Sequence, residues 1–309
     1  MTIAPCSPVI LYHSIADRLP AGWEGRIHNV SPAAFRDQVR WLKRRYRVVD
    51  LGSWLDAGRP RGRAVITFDD AYRSVFEEAL PVLRREGVPA TVFINGGLVQ
   101  KGRFWRDQVR RLVAEGRVES FLAWLRRKDG AERRLPDAAR FYRATKDPSV
   151  DSAWIARRVE EYLGANERGA GAGTAGLLAR ADELVDDPLV AYGNHTWSHY
   201  VLSSLDPAEQ EQEIAGNLRW MASVTPRPLE VLAFPFGGSA DVNPDSLRIA
   251  RSTGHRAVLY SRDRLNFRAR RRDGLAVVER LMAPEGGAGE LRRRLYRLGA
   301  RQLRAAALR

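Results

Sequence analysis

The chain has 309 residues, 44% hydrophobic and 28% charged, an ordinary balance for one large or two small globular domains. No apolar run approaches the roughly 20 residues a helix needs to cross a bilayer, and the single cysteine, Cys6, can build neither an internal disulfide nor a thiolate metal cluster. The formal charge of +14 rests on arginine far more than lysine and gathers at the C-terminal end, where 14 arginines between Arg262 and Arg309 face 5 acidic residues.

In chain order, Val9–Tyr12 is an apolar run ending at His13. Ser31-Pro32 reads as an N-cap with proline in the first helical position, and Phe35, Val39 and Leu42 follow at the spacing of an amphipathic helix. Val65–Phe68 predicts a strand ending in Asp69-Asp70, and Val75, Ala79, Val82 and Leu83 predict a helix that stops near Gly87. Ala90–Ile94 is the next strand, closed by Asn95-Gly96-Gly97. From Gly102 to about Asn166 no good strand occurs, and aromatic and charged residues recur at helical spacing. A glycine-rich stretch, Gly169 to Gly176, joins this segment to the returning alternation. Strands are predicted at Leu189–Tyr192, Val231–Phe234, Arg256–Tyr260 and Leu275–Val278, with helices at Pro207–Ala222 and Pro244–Ser252 between them. In the tail, Leu291, Leu295 and Leu298 fall on one face of an arginine-rich amphipathic helix. Strand–helix alternation of this kind predicts a parallel sheet or barrel with helices outside. The expected division is a β/α core over 1–98 and 186–285, a helical insertion over 99–185 and a basic helix over 286–309.

Three segments sit at strand ends, where β/α architectures place active sites. In Thr67-Phe68-Asp69-Asp70, two adjacent carboxylates push their pKa values apart, so one can bind a cation while the other takes a proton. The bland alternative is an Asp pair capping the following helix. His195 and His199, in His195-Thr196-Trp197-Ser198-His199, stand four apart; on one helical face both imidazoles would reach a single metal. An Asp oxygen and two His nitrogens leave an open coordination position, as catalytic rather than structural zinc sites do. Phe234-Pro235-Phe236-Gly237-Gly238 is a rigid turn able to present backbone N–H groups, or simply a turn.

Together these segments resemble the polysaccharide deacetylase family, also called the NodB-homology or carbohydrate esterase family 4 proteins. Thr67-Phe68-Asp69-Asp70 is similar to that family's T-F-D-D motif, and His195 with His199 to its H-[ST]-x-x-H motif. Tyr12-His13-Ser14-Ile15, Val30-Ser31-Pro32 with Phe35 and Gln38, and Ala233-Phe234-Pro235-Phe236-Gly237 resemble the poly-N-acetylglucosamine deacetylase branch. The resemblance covers roughly Pro8 to Gly97 and Val185 to Met282, not the helical insertion or the tail. It implies an α/β fold, a distorted (β/α) barrel, and metal-dependent removal of acetyl groups from sugars. It also implies Asp70, His195 and His199 as metal ligands and Asp69 as general base. Where many members have an arginine two residues before the third-motif proline, this chain has Ala233, and no histidine follows His255 to act as a late general acid. In the N-terminal Y-H branch that role is given to the early histidine, here His13, whose alternative is a buried structural role. Phe236, Pro235 and Tyr12 are expected at the substrate or oxyanion, Arg280 as a support for the base, and Trp105 either stacked on a sugar ring or packed in the core.

The expected reaction is hydrolysis of an N-acetylated sugar with one divalent metal ion. Zinc is the first expectation; cobalt, nickel and iron are tolerated by the same ligands. The alternatives are O-deacetylation, hydrolysis of another non-peptide amide, or a non-catalytic carbohydrate-binding relative. No basic segment followed by a long apolar stretch opens the sequence, so a cytoplasmic location is expected, at the inner face of the membrane if the basic tail meets anionic lipid. No helix-turn-helix, zinc finger or aromatic RNA-binding motif supports a nucleic-acid partner.

Overall fold

A computed structural model describes residues 6–19, 23, 26–58, 61–129, 135, 137–166, 176–268 and 270–307. Residues 1–5, nearly all of the glycine-rich stretch (169–175) and the last two residues of the tail lie outside the described residues. The first half runs β1 (Val9–Tyr12), β2 (Ser14–Ile15), β3 (Asn29–Val30), α1 (Pro32–Arg45), β4 (Arg47–Val48), α2 (Leu51–Asp56), β5 (Arg63–Phe68), α3 (Leu80–Glu86) and β6 (Ala90–Ile94). Five helices follow: α4 (Gly96–Lys101), α5 (Trp105–Ala114), α6 (Val118–Asp129), α7 (Ala138–Ala144) and α8 (Ser152–Asn166). The second half runs β7 (Val190–Asn194), α9 (Pro207–Val224), β8 (Pro228–Ala233), α10 (Pro244–Ser252), β9 (Ala257–Tyr260), β10 (Arg270–Arg272), β11 (Leu275–Glu279), β12 (Leu281–Met282) and α11 (Ala288–Ala307).

The local signals act as the sequence predicts. Ser31 Oγ accepts the Ala34 N–H, Pro32 opens α1, and Phe35, Val39 and Leu42 are its buried stripe. Gly87 ends α3 at φ 62°, a left-handed conformation that favours glycine. The helix expected from Val75 differs at its start, where Val75–Ala79 is a π turn. Pro81 has no N–H to give and its ring crowds the carbonyl one turn back, which a wider turn relieves.

The large sheet has the order β10-β11-β9-β8-β7-β6-β5-β1-β12, parallel throughout except for the β10–β11 hairpin. Its central strands are buried on both faces, which is why they read as continuous apolar runs rather than alternating ones. β11 and β12 are one run interrupted at Arg280: the first half pairs with β9 and the second with β1. The two ends of the parallel array therefore meet in a single stretch of chain. The C-terminal ends of β1, β5, β7, β8 and β9 open on one rim and deliver His13, Asp69-Asp70, His195, Phe236 and Ser261 to it.

Helices α5 to α8 bury an aromatic cluster in which Phe121 meets Phe141 at 5.6 Å and Tyr162 at 5.3 Å. α11 lays Leu291 and Leu295 onto the body of the protein against α1, and Asp37 Oδ2 accepts the Ala288 N–H. Burying each leucine contributes about 1.5–3 kcal/mol. The apolar stripe of the tail is thus covered, and Arg292, Arg293 and Arg297 face outward. No described helix is long and apolar enough to cross a membrane.

Candidate active site

β5 ends in Asp69 and Asp70, both buried. Asp69 stays in the extended ladder, its N–H on the Tyr12 carbonyl, whereas Asp70 turns at φ 70° and Ala71 follows at φ 51°. That turn separates the two carboxylates. Asp69 Oδ1 and Oδ2 receive Arg280 Nη1 and Nη2 at 2.6 and 2.8 Å, and Arg280 Nη2 also reaches Ser261 Oγ at 2.9 Å. Burial works against the Asp69 charge, but Arg280 outweighs it and holds the carboxyl below its usual range. Burial and the Asp69 charge together push Asp70 well up. The neighbouring carboxylates are thus driven in opposite directions.

His195 and His199 do not lie on a helix, contrary to the expectation from their spacing. The segment is an irregular loop after β7, and Thr196 (φ 65°) and His199 (φ 60°) bend it through left-handed conformations. Side chains replace the missing helical hydrogen bonds. Asn194 Oδ1 accepts the Thr196 N–H at 2.8 Å, Thr196 Oγ1 the His199 N–H at 3.2 Å, and Glu213 Oε2 the Ser198 N–H at 2.7 Å. Asn95 Nδ2 donates to the carbonyls of His195 and Thr196, and Gly97 N–H to that of Trp197. A Cβ on Gly97 would lie 2.8 Å from the Trp197 oxygen. Gly97→Ala is therefore expected to displace the loop, destabilise the fold by about 1–3 kcal/mol and weaken metal binding. Gly216→Ala, in open space on α9, should instead stabilise by up to roughly 1 kcal/mol. Thermal melts and metal content of the two variants check this contrast.

The His195 Nδ1–H donates to the Ala233 carbonyl at 2.8 Å, which fixes the tautomer and leaves Nε2 bare. This Nε2 lies 3.5 Å from Asp70 Oδ1, and His199 Nε2 lies 3.4 Å from the same oxygen. Asp70 Oδ1 and His195 Nε2 are fully buried without a hydrogen-bond partner. Such orphans are costly unless something binds them. The donor separations match the edge of a tetrahedron with bonds of about 2.1 Å, roughly 3.4 Å. Burial keeps both imidazoles neutral, with lone pairs available. Asp70, His195 and His199 therefore form a buried group fit to hold a divalent metal ion.

His13 sits across a cavity of about 340 Å³ whose wall includes Asp69, Asp70, His195, His199 and Phe236. Its Nδ1 lies 3.3 Å from His28 Nδ1, and His28 Nε2 donates to the Ala283 carbonyl at 2.7 Å. That bond leaves His28 Nδ1 as the acceptor, so His13 carries its proton on Nδ1 and keeps Nε2 free. Burial holds the His13 imidazole down at about 3, neutral at rest. His28, just before β3, is thus the orienting partner of His13. His255 is buried on Asn194 and Thr253, away from the cavity.

Three expected contacts move elsewhere. Tyr12 is fully buried and donates to Gln38 Oε1 at 2.7 Å; it alternates with His13 along the chain and faces the core between Phe35 and Phe68. Pro235 shapes the turn without reaching the cavity wall, while Phe236 (φ 60°) reaches it and packs its ring 4.9 Å from that of His199. Trp105 braces rather than lines: its Nε1 donates to the His199 carbonyl at 3.2 Å. The next residue, Arg106, together with Arg110 and Lys146, lines the wall instead, and the sequence carried no signal for these three.

A parallel α/β sheet thus carries, at its strand ends, a carboxylate-and-imidazole group fit to hold a metal ion. The sequence model of the polysaccharide deacetylase family matches residues 56–120 and 154–258, more than half of the chain, and the chain belongs to that family. A poly-beta-1,6-N-acetyl-D-glucosamine N-deacetylase of Staphylococcus aureus is 33% identical over 82 residues, 25% of this chain and 28% of that protein. The chain spans less than half the length of the curated relatives it matches. Among solved structures, IcaB from Ammonifex degensii superposes with a TM-score of 0.59 at 17% identity, covering 95% of this chain and 98% of that one. The Streptococcus pyogenes deacetylase PplD does so at 0.56 and 15% identity, over 94% and 98%. These likenesses show the fold.

Proposed function

We propose that the protein is a metal-dependent hydrolase that removes the N-acetyl group from an N-acetylated sugar. The observation that carries this reading is the convergence of two orphaned donors, Asp70 Oδ1 and His195 Nε2, beside a carboxylate that Arg280 keeps ionised. Asp70, His195 and His199 would hold a divalent ion, which would supply Lewis acidity to the acetyl carbonyl and to the attacking water. Asp69, ionised and fixed by two Arg280 bonds, takes the proton of that water as it attacks. The Phe236 N–H, held at a left-handed turn on the cavity wall, meets the developing oxyanion. His13 Nε2 receives the proton from Asp69 and passes it to the departing amine, while its Nδ1–H stays anchored on His28. Acetate and a free amino sugar leave.

The test is acetate and amine release from N-acetylglucosamine oligomers by the zinc- and cobalt-loaded chain. Stoichiometric amine and acetate are expected, and acetate without amine from acetyl esters alone would assign O-deacetylation. His13→Ala should cut kcat by about 10²–10⁴ with KM little changed. Loaded protein that released no acetate from any N-acetylated sugar would overturn the reading.

A further inference from the structure

The cavity wall carries the cations Arg106, Arg110 and Lys146, and among the described residues only Arg110 of these three is ion-paired. Arg106 is 1% exposed on α5, and among the described residues its guanidinium makes its direct contacts with neutral groups: Thr145 Oγ1 at 2.6 Å, the Tyr142 carbonyl, and the rings of Trp105 and Tyr142 at 4.9 and 4.7 Å; the Asp107 carboxylate, already paired with Arg110, acts on it from further off. Its Nε is buried with no partner. Lys146, just beyond the C-terminus of α7, lies 4.6 Å from the Tyr142 ring centroid. Among the described residues neither cation makes an ion pair, whereas nearby Arg110 is paired with Asp107 and Arg280 with Asp69. Arg106 and Lys146 both stand 5.9 Å from the Phe236 ring, whose other neighbour is the His199 imidazole at 4.9 Å.

A buried arginine without an acid costs several kcal/mol unless an anion joins it, and a neutral glycan brings none. Deacetylation needs one stabilised oxyanion, which the metal side of the cavity provides. Two cations without an ion-pair partner, one aromatic ring away, suit about two further negative charges on the substrate. Resting on the deacetylase reading, we propose that the preferred substrate is an N-acetylated sugar carrying a diphosphate, which Arg106 and Lys146 bind while the acetamido group lies at the metal group. The field of this wall shows in Tyr142: burial pushes its phenol up, but Arg110, Arg106 and Lys146 pull it down to about 8. Such chemistry occurs in sugars linked through diphosphate to a nucleoside or to a polyprenol, and both present the same oxygens to the wall.

Calorimetric binding tests this with the full chain, as purified and again after chelation, so that phosphate–metal contact is separated from phosphate–cation contact. The probes are N-acetylglucosamine, its uridine-diphosphate ester and its farnesyl-diphosphate ester. At low salt at least one diphosphate is expected to bind tenfold or more tightly than the neutral sugar, in both metal states. Tighter binding of the farnesyl ester assigns the lipid-linked source, and tighter binding of the uridine ester the nucleotide-linked one. Lys146→Met, at a half-buried position, should remove most of that preference; Arg106→Met should remove it as well, with circular dichroism to check its fold. Equal affinity for all three probes would overturn the proposal, as would a preference that survives Lys146→Met. If the preference holds but no acetate is released, the anion site stands and the deacetylase reading falls. If acetate is released from neutral sugars with no preference for diphosphates, only the anion site falls.

Discussion

Asp69→Asn is expected to lower acetate release by about three orders of magnitude and, in the same stroke, to destabilise the protein. Among the described residues the Asp69 carboxylate is the only acid ion-paired with Arg280, and Arg280 is fully buried. Removing one member of such a pair leaves an uncompensated charge and costs about 3–5 kcal/mol. Arg280→Met should cost as much for the mirror-image reason and should reduce kcat, because Asp69 then loses the partner that keeps it ionised. The Asp69→Asn, Arg280→Met double variant should recover most of the stability and none of the activity. Denaturant unfolding of the four proteins closes the cycle, and additive losses would refute the coupling. The pH dependence follows in sign. The folded Asp69 pKa lies below the unfolded value of about 3.9, so the stabilisation is complete above that value and is lost as pH falls through the lower folded one.

The second large effect concerns metal. Chelation should reduce stability by about 4 kcal/mol if the ion was present at a thousand times its dissociation constant. Asp70→Asn should then separate function from stability. In the loaded state it should lose most bound metal, since one of three ligands is weakened. In the chelated state it should be more stable than wild type by roughly 1–3 kcal/mol, because a buried carboxylate with an orphaned oxygen no longer has to be accommodated. Melts with and without chelator, beside metal analysis, decide it; an Asp70→Asn protein less stable than wild type in chelator would show that the carboxylate serves the fold. His195→Ala and His199→Ala should lose metal without that compensating gain.

Much of this site was legible in the sequence, because motif and strand end coincide. Asp69-Asp70 after Val65–Phe68 and the histidine pair after β7 are local facts, and the core strands fall within a few residues of their expected places. The backbone that joins the ligands was not. Spacing of four suggested a helical face, but Thr196 and His199 occupy left-handed conformations in a loop held by Asn95, Asn194 and Glu213, none of which is signalled by the motif itself, and Asp70 turns through a left-handed conformation of its own. One error could have been avoided. Side chains in a strand alternate, so placing His13 at the cavity already turned Tyr12 away from it. His28, Arg106 and Lys146 could not be found this way, since only the folded chain brings them to the rim. Arg280, expected from the resemblance as a support for the base, does hold Asp69, from the break between β11 and β12.

The break at Arg280 between β11 and β12 gives this chain an order of assembly. One stretch of chain pairs with β9, offers its guanidinium to Asp69, and then pairs with β1. A nascent chain that has emerged only as far as β9 already contains Asp70, His195 and His199, but has neither a joined ring nor a partner for its base. On the proposed reading, the base would gain its partner only with the stretch that pairs with β9 and then β1, so a half-made protein would hold the candidate ligand group before it held a steadied base.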